Sequence, residues 1–177
     1  MRSTQPLTRT KGLICLGIDP GIGRLGYGIV AQTGGACTAV TYGCLETPPH
    51  QETPIRIKSL YEGVREQIER CSPHFMSIER LYFGQNRTTA EAVWQARGVM
   101  LLLGAQYNLP IVEPKPSEVK MTVCGDGKAE KKQVQLMVQR LLRLSEVPRP
   151  DDTADALAIA LAGLSIIQSP QYQYGRR

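Results

Sequence analysis

Residues 13–19, LICLGID, are apolar at both alternating sets of positions, as expected for a strand buried on both faces, and the run ends on a carboxylate, Asp19. Pro20-Gly21 turns the chain. Residues 26–32 and 36–46 (ACTAVTYGCLE) are predicted as two further strands joined by a hairpin turn at Gly34-Gly35. The period then changes. Within residues 54–71, Ile57, Leu60, Tyr61, Val64 and Ile68 recur at helical spacing, and Ser72-Pro73 stops the helix. FMSIE (75–79) reads as a short strand that also ends on a carboxylate, Glu79. Thr88-Thr89-Ala90-Glu91 is a capping-box pattern opening a helix that runs to about residue 107. Its apolar positions go nearly all the way round, so sheet on one face and a partner subunit on another are expected to cover it. NLPIVE (108–113) is predicted as a buried strand, with a short helical piece after Pro114 and Pro116. The loop CGDGKAEK then leads into the helix KKQVQLMVQRLLRL, and RPDDTADALAIALAGLSII is a capped, strongly apolar helix.

Three strands in succession, then strands alternating with helices, describe an α/β domain. The expected sheet is mixed, of about five strands with the first three antiparallel, and helices flank it. One domain is expected over residues 13–168, between a basic disordered tail (1–12) and a polar disordered tail (169–177). The chain has 177 residues, 42% of them hydrophobic and 21% charged, enough for a substantial core. No apolar run approaches the ~18–20 residues of a membrane span. The first twelve residues lack the apolar core of a secretory leader. Five cysteines form no CxxC pair. They suggest buried thiols in a reducing compartment, the cytoplasm, rather than disulfides or a zinc site.

Charge adds a location. Of the formal net +5, the segment from Lys115 to Arg143 holds +4, from seven basic residues (Lys115, Lys120, Lys128, Lys131, Lys132, Arg140, Arg143) against Glu118, Asp126 and Glu130. A concentrated basic segment suits a phosphate-binding surface, and on charge alone it suits a solvated helix face equally well.

Acids are grouped differently. Asp19 and Glu79 end two strands, while Asp151, Asp152 and Asp155 open the last helix. Ligands of open α/β sheets gather beyond the carboxyl ends of strands, so parallel, adjacent strands would bring Asp19 and Glu79 to one rim. Asp152 with Asp155, or Asp151 with Asp155, would project to one side of the helix, and spacing does not choose between these pairs. Each residue also has an ordinary role available. Asp151 or Asp152 would serve as an N-cap, Asp155 would favour the helix dipole, and Glu79 would pair with Arg80 or Arg87. Four converging carboxylates would repel one another unless cations held them. An oxygen-only donor set suits Mg²⁺ or Mn²⁺, and beside a basic segment it points to two-metal phosphoryl chemistry.

GIDPGIGRLGYGIV, SIERLYFGQN, QARGVMLLLGA, VCGDGKAEKKQVQLMV and DDTADALAIA follow in order over roughly residues 13–165. They resemble the successive motifs of the RuvC family of bacterial Holliday junction resolvases. The resemblance implies a ribonuclease H-like fold, a homodimer, and paired nicks with 5′-phosphate and 3′-hydroxyl ends in four-way junction DNA during recombination and repair. By position it implies that the catalytic and metal-holding acids are Asp19, Glu79, Asp152 and Asp155, leaving Asp151 as a cap or bystander. It implies two Mg²⁺ ions, with Mn²⁺ as a substitute, and basic catalytic or DNA contacts at Lys120 and Lys131. The family's junction-reaching aromatic, usually Phe, falls on Tyr82, with Phe83 as the alternative; a Tyr still offers a π-face. Arg80, Arg87, Lys115, Lys128 and Lys132 complete the candidate DNA contacts, and Asp126 puts an opposing charge in the loop among them. The RuvA–RuvB branch-migration complex is the implied partner. An ATPase of the actin and sugar-kinase type shares the first strand-end motif but needs two such domains, and a non-catalytic junction-binding module would not need all four acids.

Overall fold

The apolar alternation of residues 13–19 is realised as β1 (Leu13–Asp19). The computed structural model describes residues 12–81 and 87–169, and of residues 87–90 the backbone only; it places β1 in the middle of a sheet. β2 (Arg24–Thr33) and β3 (Ala36–Glu46) follow as antiparallel neighbours, linked by Gly34 and Gly35. Both glycines are left-handed, with φ of 57° and 86°, as a tight hairpin turn demands. β4 (Phe75–Ile78) and β5 (Ile111–Val112) join in parallel, giving the order β3-β2-β1-β4-β5. The helices are α1 (Thr53–Cys71), α2 (Arg87–Gln106), α3 (Pro116–Cys124), α4 (Lys131–Leu141) and α5 (Asp151–Ile167).

Two layers of core follow from strand alternation. Cys15, Val30 and Phe75 point to the face covered by α5, with α3 and α4 behind it. Leu16, Ile18, Ile29, Met76 and Ile78 point the other way, onto Leu60, Val64 and Ile68 of α1 and Met100 and Leu103 of α2. Burying each such side chain stabilises the fold by about 1.5–3 kcal/mol. α5 lies deepest: from Thr153 to Leu164 every residue is buried except Asp155.

The glycines of β1 and β2 allow this depth. A Cβ on Gly26 would collide with the Asp152 carbonyl, and one on Gly17 with the Ala156 carbonyl. The helix backbone therefore rests directly on the sheet.

Some boundaries differ from expectation. β2 starts two residues earlier than predicted, at Arg24, because Arg24 and Leu25 already pair with Glu46 and Leu45. β5 keeps only two of the six predicted residues. Asn108 is left-handed (φ 53°) and Pro110 has no N–H to give, so the chain turns onto the sheet edge late. α4 ends at Leu141 rather than 144, with Arg143 left-handed (φ 53°). β4 stops at Ile78, which leaves Glu79 one residue beyond it. Neither Asp151 nor Asp152 caps α5: Pro150 holds the N-cap position and no side-chain cap bond is made. α2 is not enclosed within the single chain either. Ala96, Met100 and Leu103 are buried, but Leu102 is 55% exposed.

Candidate active site

The site begins with strand direction. β1 and β4 are parallel neighbours with Ile18 opposite Ile78, so the next residues along, Asp19 and Glu79, emerge side by side at one rim. The turn after Asp19 is held by Thr47, whose N–H donates to the Gly23 carbonyl at 3.0 Å and whose hydroxyl donates to the Ile22 carbonyl. The Arg56 Nε–H in turn donates to the Thr47 hydroxyl at 2.8 Å. Glu79 is tied down from behind. Arg97, buried on α2, donates from Nε to the Glu79 carbonyl at 3.4 Å and makes an ion pair with Glu113, just past β5.

From the covering face, α5 lays its first turn over this rim, since Gly26 lets the Asp152 backbone approach. A cavity of about 260 Å³ opens there, lined by Asp19, Glu79, Asp155, Lys120 and Lys131 with apolar walls that include Val134. Lys131, the first residue of α4, bridges two acids of α5. Its Nζ lies 2.9 Å from Asp155 Oδ2 and 2.6 Å from Asp151 Oδ2. Asp152 is not among the residues that line the cavity; its Oδ2 lies 3.1 Å from Arg24 Nε.

Electrostatics mark the same residues. Burial, then the charges of Asp155, Glu79 and Asp152, push the Asp19 carboxyl up to about 7, against a smaller opposing pull from Lys131. Burial and Asp155 raise Glu79, with Lys120 pulling it down. Burial raises Asp155 against the hydrogen bond and charge of Lys131. For Lys131 itself burial acts to lower the pKa, but hydrogen bonds and charge from Asp151 and Asp155 outweigh it, and its ammonium is held above the ordinary range. Like charges crowded in a desolvated pocket are costly unless a cation joins them.

The donor set fits a hard divalent cation. It is all oxygen, it is mutually repulsive, and Asp152 Oδ2 is buried with no hydrogen-bond partner. Arg24 is at ion-pair distance from that oxygen but out of hydrogen-bond alignment. No three His, Cys, Asp and Glu side chains among the described residues form a ready-made cage. A Mg²⁺-type ion does not require one, since it keeps waters and takes substrate phosphate oxygens beside one or two carboxylates.

Of the predicted DNA contacts, Lys120 and Lys131 reach the cavity. Lys115, Lys128, Lys132 and Arg80 are solvent-exposed. No ion pair joins Glu79 to Arg80. Tyr82 and Phe83 lie outside the described residues, as do the side chains of Arg87 and of the capping-box residues 88–90 and nearly all of both predicted tails. Asp126 accepts the Lys128 N–H at 2.9 Å, so its charge is turned onto its own loop. Arg24, Arg97 and the Asp151–Lys131 bridge escaped the sequence reading. The one available signal was Arg97, a charge in the middle of an apolar helix.

Carboxylates at the ends of two central parallel strands, met by others from a helix crossing the sheet, place this molecule among the ribonuclease H-like nucleases. Residues 15–163 match the family model of the crossover junction endodeoxyribonuclease RuvC. The RuvC of Moorella thermoacetica is 50% identical over 153 residues, covering 86% of this chain and 92% of that protein. That of Chloroflexus aggregans is 50% identical over 146 residues, covering 82% and 89%. Thermus thermophilus RuvC, solved in complex with a Holliday junction substrate, superposes with a TM-score of 0.81 at 34% identity, covering 85% of this chain and 92% of that one. The yeast mitochondrial Holliday junction resolvase shares the fold at 19% identity, with a TM-score of 0.59. The chain belongs to the RuvC family of metal-dependent nucleases. Among the described residues no helix is long and apolar enough to cross a membrane.

Proposed function

We propose that this chain is the junction-resolving endonuclease of its cell: it binds four-way junction DNA and hydrolyses one phosphodiester in each of two like strands. The observation that carries this reading is the single cavity where Asp19, Glu79 and Asp155 meet Lys120 and Lys131. A protein that only bound junctions would have no use for three crowded, desolvated acids in one cavity. Asp19, Glu79, Asp152 and Asp155 hold two Mg²⁺ ions, for which Mn²⁺ substitutes. When bound, such ions supply a water nucleophile at neutral pH and neutralise the leaving oxygen. The chain's own part is to set the acids at fixed separations, present Lys120 and Lys131 to the phosphate, and keep the apolar wall of the cavity dry. The products are nicks with 5′-phosphate and 3′-hydroxyl ends, which a ligase can seal.

Two cuts require two sites. A two-fold dimer through the exposed face of α2 presents them symmetrically, and the unburied Leu102 supports that placement. Tyr82 or Phe83 stacks in the junction, Arg80, Arg87, Lys115, Lys128 and Lys132 follow the backbone, and the RuvA–RuvB motor delivers the substrate in the cytoplasm.

Incubating the protein with a synthetic mobile junction tests this directly. Symmetric nicks are expected with Mg²⁺ or Mn²⁺ and none with EDTA. Asp19→Asn should lower cleavage on the order of 10²–10³-fold while retaining junction binding by gel shift. Undiminished cutting by that variant would remove Asp19 from the site.

A further inference from the structure

Both basic side chains that neutralise the acids of α5 share one partner. Lys131 Nζ contacts Asp155 Oδ2 at 2.9 Å and Asp151 Oδ2 at 2.6 Å. Arg24, at the start of β2, places Nε 3.1 Å from Asp152 Oδ2 and Nη2 3.5 Å from Asp151 Oδ1. Asp151 is the common member of both pairs. It does not line the cavity, and it does not fill the N-cap role open to it in the sequence, which falls to Pro150.

The arrangement raises a competition. Asp155 and Asp152 are occupied by the protein's own cations, yet a divalent ion needs those same carboxylates. Arg24 and Lys131 are 49% and 54% exposed and so are free to pivot, whereas the acids of α5 are fixed by a buried helix. Asp151, at the exposed N-terminal edge of that helix, already touches both cations.

We propose that Asp151 is a positioning residue, the shared anchor onto which Lys131 and Arg24 fall back when Asp155 and Asp152 turn to a divalent cation. The two cations are thereby displaced from the metal ligands without being lost from the site, and Lys131 stays at the cavity mouth facing the scissile phosphate. This rests on the reading that Asp155 and Asp152 bind metal. Among the described residues, the ion pairs left to Lys131 and Arg24 without Asp151 are those with Asp155 and Asp152, so both cations compete with the metal for its ligands.

The test is Mn²⁺ binding to the full-length, DNA-free protein, followed by the electron paramagnetic resonance signal of the free ion. Asp151→Asn should weaken Mn²⁺ binding about 5-fold or more, a typical coupling between linked sites. Asp151→Glu should restore most of it. In a background carrying Lys131→Met and Arg24→Gln, the same Asp151→Asn change should matter less than about 2-fold, because nothing remains to be anchored. Far-UV circular dichroism confirms that each variant is folded. Equal effects in both backgrounds would mean that Asp151 acts only as a nearby negative charge, and no effect in either would mean that it does not act at all; each overturns the anchor. Failure of the unmodified protein to bind Mn²⁺ would instead overturn the metal reading itself, and the anchor with it.

Discussion

At the scale of single residues, the cluster stores unfavourable charge, and pH exposes it. The Asp19 carboxyl is lifted from 3.8 to about 7, chiefly by burial. Between those values the folded, metal-free protein holds a proton that the unfolded chain has already released. Stability therefore falls as pH rises from about 4 to 7 and levels off above. Glu79 and Asp155, both raised, contribute with the same sign. Urea unfolding in EDTA should show the midpoint declining through this window. Asp19→Asn should flatten much of the decline and add on the order of 2 kcal/mol at about pH 8. Divalent metal should likewise stabilise the unmodified protein there, since it binds only the folded form. A midpoint that climbed through the window would show that the acids are not crowded as described.

Among the secondary elements, the helix that carries the acids is held to the sheet by missing side chains as much as by present ones. Gly26 admits the Asp152 backbone, Gly17 admits that of Ala156, and Ser77 Oγ donates to the Ile159 carbonyl at 2.8 Å. Gly26→Ala should therefore push the first turn of α5 off the rim. The expected result is a loss of about 1–3 kcal/mol in stability, as for overpacking elsewhere. Cleavage should fall more than junction affinity, because the carboxylates move while the exposed lysines do not. Denaturation and single-turnover cleavage, measured on the same variant, check both halves. These glycines are visible in GIDPGIGRLGYGIV, and a glycine is the residue that lets backbone approach closely. Which backbone passes is not visible there, because the partner lies more than a hundred residues away at Asp152.

At the scale of the whole molecule, the proposed pair of cuts calls for two copies and one anion-binding face. Leu102 is 55% exposed on α2, the helix whose Ala96, Met100 and Leu103 are buried in the core shared with the sheet and α1. Leu102→Glu should leave the fold intact and shift sedimentation from dimer to monomer at micromolar concentration. A monomeric unmodified protein would remove α2 as the subunit contact. Junction affinity should drop at least about tenfold between 50 and 200 mM salt, as counterions released by phosphate contacts require.

Periodicity, with the turn and capping residues between, located the strands and helices in their order, because burial on one or two faces imposes a spacing that local composition reveals. The same reading placed Asp19 and Glu79 at strand ends and the remaining acids at a helix start. Tertiary structure decided what depends on contacts distant in the chain. It made β1 and β4 parallel neighbours, so that two carboxylates share a rim. It shortened β5 to two residues after the left-handed Asn108 and Pro110, and it gave the N-cap of α5 to Pro150. It also paired Arg24 and Lys131 with Asp151, Asp152 and Asp155 across 20 to more than 120 residues of sequence. A charge carries no periodic signature of its partner, so only the folded chain can show which cation it meets.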